Sequence, residues 1–219
     1  MSSAGWLVLD LDGTIVDIRP RHYAAHLLVT RDLGLQPIGP AAYWRIKRAG
    51  LDVASRYGGR GREYRESFLD WIEAVELLDL DRPFSRAREW LTDLQSRGFG
   101  VVIATGRRNR ARTRTQLEGL AIPHDLLVTV PNSSRSAAVL SAIDSPVLAW
   151  IGDTEIDIEA GRDLGVLTVA VTSGIRSPSL LARHRPDALV ARLSDVRFPP
   201  EASTPIAAAV AAQGHAFDG

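Results

Sequence analysis

Trp6 to Asp17, WLVLDLDGTIVD, decides the fold of this chain: an apolar run leads into two aspartates one residue apart, then glycine, then threonine. Leu7, Val8 and Leu9 have the aliphatic character of a strand buried on both faces, as in a parallel sheet. Asp10 and Asp12 fall where such a strand ends, and in an open α/β sheet ligands bind beyond those ends. Alternation along a strand points both carboxylates the same way, so they share a small space that costs energy unless a cation or a proton lies between them. A divalent metal answers that cost. Gly13 permits a sharp turn and close approach to a ligand, and Thr14 adds a hydroxyl beside backbone N–H groups suited to phosphate oxygens.

Two later stretches repeat the pattern. Val101 to Arg107, VVIATGR, is a second buried run that ends in Thr105, followed by Gly106. Val147 to Asp157, VLAWIGDTEID, is a third, ending in Gly152 and Asp153 with Asp157 four residues on. A lone DxD is a common strand end, but three apolar runs with polar C-terminal ends are a constellation. In a parallel sheet those ends lie along one edge, so Asp10, Asp12, Thr105 and Asp153 are expected to converge.

DLDGT, then a strand ending in ATG, then GDTEID, in this order, resembles the haloacid dehalogenase-like hydrolase superfamily. The resemblance implies a Rossmann-like α/β core with a parallel sheet, residues 1–17 and 83–198. Residues 18–82 would be a small all-helical cap, and 199–219 a weakly ordered tail. It implies Asp10 as nucleophile, Asp12 as general acid/base, Thr105 as a phosphate ligand and Asp157 as a supporting acid. Mg2+ would be held by the Asp10 side chain, the Asp12 backbone carbonyl, Asp153 and waters. Thr14, Gly106 and Arg107 would contact the phosphorylated substrate.

One departure from the family pattern is compositional. The only lysine is Lys47, and every other basic residue is arginine. The superfamily usually carries a lysine before the GDxxxD stretch, and this chain has none there. The nearest cation is Arg135 in PNSSRSAAVLSAI, where Ser133 or Ser134 is placed to cap a helix with Ala138, Val139 and Ile143 inward. Arginine keeps the charge, although its planar fork is larger than an ammonium. Arg135 is therefore the expected stand-in.

The segment 18–82 reads as helices. Pro20 to Leu33 starts with proline in a first turn, Ala41 to Ala49 is shorter, and Arg62 to Leu78 carries an apolar stripe from Tyr64 to Leu78 at helical spacing. Between them Arg56 to Arg62, RYGGRGR, is expected as a mobile cationic loop, with Arg60 reaching an anionic substrate. Lys47 is a second cap candidate for substrate contact. Helix and strand alternate again after Phe84, with strands expected at 99–104, 125–130, 166–171 and 188–190.

With 219 residues and 45% hydrophobic content, the chain can bury one full core and a small accessory domain. Zero formal net charge gives no bias toward nucleic acid or anionic membrane. The run RRNRARTR at 107–114 lacks interleaved aromatics for base stacking, so its outer arginines read as a solvated helix face. The absence of cysteine excludes disulfides and thiol chemistry. No apolar run approaches the about 18 residues of a membrane helix and no signal peptide is visible, so a cytoplasmic protein is expected. The five histidines form no ligand pattern, and no residue speaks to oligomeric state.

Together these readings describe a Mg2+-dependent phosphomonoester hydrolase acting on a small phosphorylated metabolite through an aspartyl-phosphate. The same fold also hosts sugar phosphomutases, phosphonatases with a Schiff-base lysine, for which Lys47 is available, and non-catalytic phosphometabolite-binding proteins. Asp12 disfavours the phosphonatase and dehalogenase branches, which lack that second acid.

Overall fold

The computed structural model describes residues 5–130 and 135–198. The aliphatic runs form a sheet of six strands: β1 (Trp6–Leu9), β4 (Gly100–Thr105), β5 (Leu126–Thr129), β6 (Val147–Gly152), β7 (Leu167–Val171) and β8 (Ala188–Val190). Two short strands, β2 (Val16–Asp17) and β3 (Arg82–Pro83), pair apart from it. The large sheet has the order β5-β4-β1-β6-β7-β8, with every neighbouring pair parallel. It is a Rossmann-like α/β sheet. After β1 the chain builds outward through β4 and β5, then crosses back to place β6 on the other side of β1. That reversal opens a crevice at the C-terminal ends of β1 and β6.

Burial on both faces follows from alternation along each strand. Leu7, Leu9, Val101, Ile103 and Ile151 pack on one side against Leu91 and Leu94 of α5 (Ala87–Ser96) and Leu117 of α6 (Arg110–Gly119). Val8, Val102, Ala104 and Trp150 pack on the other against Val139 of α7 (Arg135–Ala142) and Ala160 of α8 (Glu155–Asp163). A short α9 (Pro178–Arg183) precedes β8.

Between β2 and β3 stands the helical insertion: α1 (Arg19–Asp32), α2 (Pro40–Arg48), α3 (Gly61–Trp71) and α4 (Val75–Leu78). It has its own small core of Val29, Tyr43, Val53, Ala54 and Tyr64. His26 pins that core: its Nε2 accepts from the Ile38 N–H at 2.9 Å, which leaves Nδ1 to donate to the Tyr64 hydroxyl at 2.8 Å. Two seams join insertion and core. Arg176 Nη1 donates to the Lys47 carbonyl at 2.9 Å and Ser177 N to that of Arg48 at 3.0 Å. On the other rim, the Glu73 carboxylate accepts from Arg108 N at 2.8 Å and Asn109 N at 3.1 Å.

The structure corrects three expectations. The stripe from Arg62 to Leu78 is not one helix; it breaks at Ile72 to Ala74, where Ala74 is extended with ψ 139°. The break frees the Ile72 carbonyl, which then accepts from the buried Arg21 at 2.8 Å. RYGGRGR is not a loose loop: residues Val53–Arg60 form a 3-10 helix running into α3, kinked at Gly58 with φ 53°. Tyr57 and Arg60 hold it by donating to the Gln36 and Leu33 carbonyls. The β2–β3 pair, Val16 opposite Pro83 and Asp17 opposite Arg82, was not expected at all. Other boundaries shift by a residue or two, as helix and strand ends do. Ser133, Ser134 and the tail from residue 199 lie outside the described residues. Among the described residues no helix is long and apolar enough to cross a membrane.

Candidate active site

The ends of β1, β4 and β6 are neighbours, so Asp10, Thr105 and Asp153 arrive together. Asp10 is fixed to the sheet by its own N–H, which donates to the Ile151 carbonyl at 2.9 Å. Asp10, Asp153 and Asp157 each offer a carboxylate oxygen, all within 4.8 Å of one another, and all three residues are buried. Arg135, on the first residue of α7, reaches into this group. Its Nη1 donates to Asp10 Oδ1 at 2.7 Å, Asp157 Oδ1 at 3.0 Å and the Ala104 carbonyl at 3.1 Å. Asp157 is otherwise committed to capping α8, its Oδ2 accepting from Thr154 N at 3.1 Å and Thr154 Oγ1 at 2.6 Å. Asp153 Oδ2 accepts from Ile175 N at 2.6 Å, and Thr14 Oγ1 lies 3.5 Å from its Oδ1.

Glycines make this crowding possible. A Cβ on Gly13, where φ is +91°, would lie 2.4 Å from Asp153 Oδ2, and one on Gly174 would lie 2.0 Å from the same atom. A Cβ on Gly152 would lie 2.1 Å from Asp157 Cγ. Backbone thus approaches the carboxylates closer than any side chain allows.

So many buried acids resist ionisation together. Burial, then Asp157, raises the Asp10 carboxyl well above the usual range despite Arg135. Burial and Asp157 likewise push Asp153 up to about 8. A hard divalent cation with oxygen ligands suits this donor set, since it stabilises the charged forms that the site itself disfavours. Both Asp157 oxygens already accept hydrogen bonds, from Arg135 and Thr154, whereas Asp10 and Asp153 are each held firmly at one oxygen, so those two side chains could hold it.

Asp12 is placed differently from expectation. The strand ends at Leu9, and Asp12 is not among the three acids that meet around Arg135, although its charge still helps to raise Asp10 and Asp153. Asp12 instead faces a second cluster. Its Oδ1 accepts from Arg21 Nη2 at 2.8 Å, and Arg107 Nε lies 3.2 Å from Oδ1 and 3.1 Å from Oδ2. Arg107 Nη2 adds a further bond to Oδ1. Burial opposes charge on Asp12, yet Arg107 and Arg21 outweigh it and hold its carboxyl well below the usual range. Behind these arginines lies Asp81, wholly buried, accepting from Arg21 Nε at 2.9 Å, Arg107 Nη2 at 3.0 Å and Gln116 Nε2 at 3.0 Å.

The remaining residues named from sequence divide. Thr105 is buried at the end of β4 and its hydroxyl oxygen accepts from the Arg107 N–H at 3.4 Å; Gly106 between them is exposed. Lys47 faces the core, where burial and Arg176 lower its ammonium to about 8 while Asp52, Asp153 and Glu155 pull the other way. Arg60 is not brought to the site. It pairs with Glu63 at 2.8 Å and with the carbonyl of Leu33, at the far end of α1 from Arg21, roughly 18 Å along the helix axis. Arg108 and Arg112 are exposed, as expected of a solvated helix face, and also bond to Glu73.

Sequence reasoning missed Arg21, Asp81, Arg176 and His22. His22 lies between Trp44 and Phe68, and its Nδ1 is buried with no partner among the described residues. Burial, then Lys47 and Arg21, keep it neutral by lowering its pKa well below the ordinary value. Their shared signal was position: Arg21 and His22 open the first helix after the DLDGT strand, one turn from the crossing into the insertion.

Acidic and hydroxyl side chains thus gather at the switch point of a parallel sheet, under a helical insertion, where ligands of open α/β sheets bind. The family model for haloacid dehalogenase-like hydrolases matches residues 6–165, and the chain belongs to that family. It is 27% identical over 214 residues to a phosphoglycolate phosphatase of Neisseria gonorrhoeae, covering 87% of this chain and 90% of the relative. It is 24% identical over 199 residues to that of Synechococcus elongatus, covering 87% and 94%. Among solved structures, the haloacid dehalogenase-like hydrolase SP0104 of Streptococcus pneumoniae superposes with a TM-score of 0.72 at 19% identity, over 89% of this chain and 97% of that one.

Removing Arg135 leaves Asp10 and Asp157 buried without their cation. Arg135→Ala is therefore expected to cost about 3 to 5 kcal/mol in chelator, and Arg135→Lys less, measured by urea unfolding. An alanine variant as stable as wild type would show that the pairing carries no such weight.

The raised Asp153 carboxyl also sets a pH dependence. Its folded pKa of about 8 stands above an unfolded value of about 3.9, so its contribution is complete below the lower value and is lost as pH rises through the upper. Magnesium, which favours the ionised carboxylate, should raise the melting temperature more at pH 8.5 than at pH 5.5. Equal shifts at both pH values would contradict this assignment.

Proposed function

We propose that the chain is a Mg2+-dependent phosphomonoester hydrolase of small phosphorylated metabolites, working through an aspartyl-phosphate on Asp10. The observation that carries this reading is the Asp10 carboxylate itself, buried at the switch point beside Asp153 and held from one side by Arg135. In the first step a carboxylate oxygen of Asp10 attacks phosphorus in line, the P–O bond to the leaving group breaks, and the departing oxygen takes a proton from Asp12. In the second, Asp12 accepts a proton from water as that water attacks the aspartyl-phosphate, releasing phosphate and restoring Asp10. Bound between Asp10 and Asp153, Mg2+ would neutralise charge on the phosphoryl oxygens, which is most of what phosphoryl transfer asks of a protein. Arg135 supplies a permanent positive charge on the opposite side of Asp10. Thr14, Thr105 and the Gly106 backbone line the ground where phosphate oxygens would sit.

The clamp on Asp12 sharpens the mechanism. Two guanidinium groups favour its carboxylate form, which suits the water step, where a base is needed, more than the first, where an acid is needed. Substrates whose leaving groups need little protonation are thus the easier ones. Lys47 is the insertion's cation available to the rest of the substrate. The relatives' names make phosphoglycolate the first metabolite to try, with sugar phosphates beside it.

Phosphate release from such a panel, with magnesium and with chelator, tests the reading. Asp10→Asn should abolish turnover with the fold intact, because an amide cannot attack phosphorus; turnover by a well-folded Asp10→Asn protein would refute the covalent route. Asp12→Ala should slow alkyl phosphates by about 100- to 10,000-fold in the phosphorylation step and para-nitrophenyl phosphate much less. Rapid-quench timing of phosphorylation alone decides: equal losses on both substrates would remove Asp12 as the acid.

A further inference from the structure

We infer that Arg21 is a positioning residue that makes the placement of the Asp12 carboxylate depend on the seating of the helical insertion. The inference rests on the proton-transfer role proposed for Asp12. Arg21 belongs to the insertion, four residues beyond the end of β2, and each nitrogen of its guanidinium has a different task. Nη1 donates to the Ile72 carbonyl, the group freed where the α3 stripe breaks. Nε donates to Asp81, the residue just before β3 on the return to the core. Nη2 donates to Asp12. One planar group therefore ties the insertion, the return crossing and the reactive loop together, an arrangement that an ammonium cannot copy.

The burial pattern shows which member is meant to react. The side chains of Arg21, Asp81 and Arg107 are exposed by 1%, 0% and 3%, whereas that of Asp12 is exposed by 23%. Two arginines balance two aspartates, and Gln116 closes the back of the cluster onto Asp81 and the Leu78 carbonyl. Asp12 is thus the single accessible carboxylate on a sealed, charge-matched base. Arg107 and Gln116 anchor that base to the core, while Arg21 anchors it to the insertion. If the insertion swings about the β2–β3 pair, Arg21 and the Ile72 carbonyl move with it, and the bond from Arg21 to Asp12 is the one lost. Asp12 then keeps its Arg107 bonds but loses the contact that sets its angle, so proton transfer is confined to the seated arrangement.

A double-mutant cycle in the full chain tests this, with magnesium and the alkyl phosphate that the protein turns over fastest, whose leaving oxygen needs the Asp12 proton. Arg21→Gln is expected to lower kcat about tenfold or more while KM changes by about twofold or less, the pattern of an interaction not used in ground-state binding. Because removing Arg21 leaves Asp81 buried with one cation fewer, Arg21→Lys runs beside it. Lysine keeps charge near Asp81 without reaching three acceptors, and should show the same loss of kcat in a protein that melts nearer to wild type. In an Asp12→Asn background neither substitution should change kcat by more than about twofold, since the group being positioned is gone. Equal fractional losses in both backgrounds, or a wild-type kcat in Arg21→Lys, would overturn the inference. Undiminished turnover by Asp12→Asn alone would instead overturn the proton-transfer role, a failure visible before Arg21 is altered.

Discussion

Mutual repulsion among buried carboxylates is the constraint from which the rest of this site follows. Asp10, Asp153 and Asp157 meet at the end of the sheet, and Asp12 and Asp81 lie in the adjoining cluster. Water cannot screen such a group in the interior, and the raised Asp10 and Asp153 carboxyls express the cost. The chain answers with guanidinium groups. Arg135 serves the first cluster, and Arg21 and Arg107 serve the second. The arginine-only habit of the composition has a physical sense here, because a guanidinium stays charged when buried and offers several directed donors, whereas an ammonium is a single centre that gives up its proton more readily.

The division into two clusters separates two kinds of charge balance. The Asp12 cluster is neutral by itself, with two arginines against two aspartates, and stands complete in the protein alone. The Asp10 cluster is not: three carboxylates face one arginine, and backbone donors from Ile175 and Thr154 make up only part of the difference. Carboxylates outnumber cations in this buried, glycine-lined cradle, a balance that a divalent cation would complete.

What was legible in the sequence was what is local. DLDGT, ATG and GDTEID each occupy one strand end, and a strand end needs only a few consecutive residues to declare itself, so the parallel sheet and the convergence of Asp10, Thr105 and Asp153 could be read directly. Asp12 stands outside the Arg135 group and on the Arg21–Arg107 cluster, which two-residue alternation does not reach because the strand stops at Leu9. Arg21, Asp81 and His22 carry no local mark. Their roles arise only when α1, the break at Ile72 and the return crossing are folded against the DLDGT loop, and single-residue breaks in an amphipathic stripe are invisible to periodicity. Arg60 failed for the converse reason: a glycine-rich cationic run reads as a loop until the Leu33 and Gln36 carbonyls, more than twenty residues upstream, are known to anchor it.

The placement of the one lysine completes the argument. Arg135, Arg21 and Arg107 sit where charge must be permanent, on carboxylates that have no other relief. Lys47 sits on the insertion, at the end of α2 whose carbonyls are gripped by Arg176 and Ser177 of the core. Burial next to Arg176 brings its pKa to about 8, close enough to neutrality that a nearby anion would decide its charge. Permanent charges thus stand on the two carboxylate clusters, and the one lysine, on the insertion, is the cation whose charge its surroundings weaken.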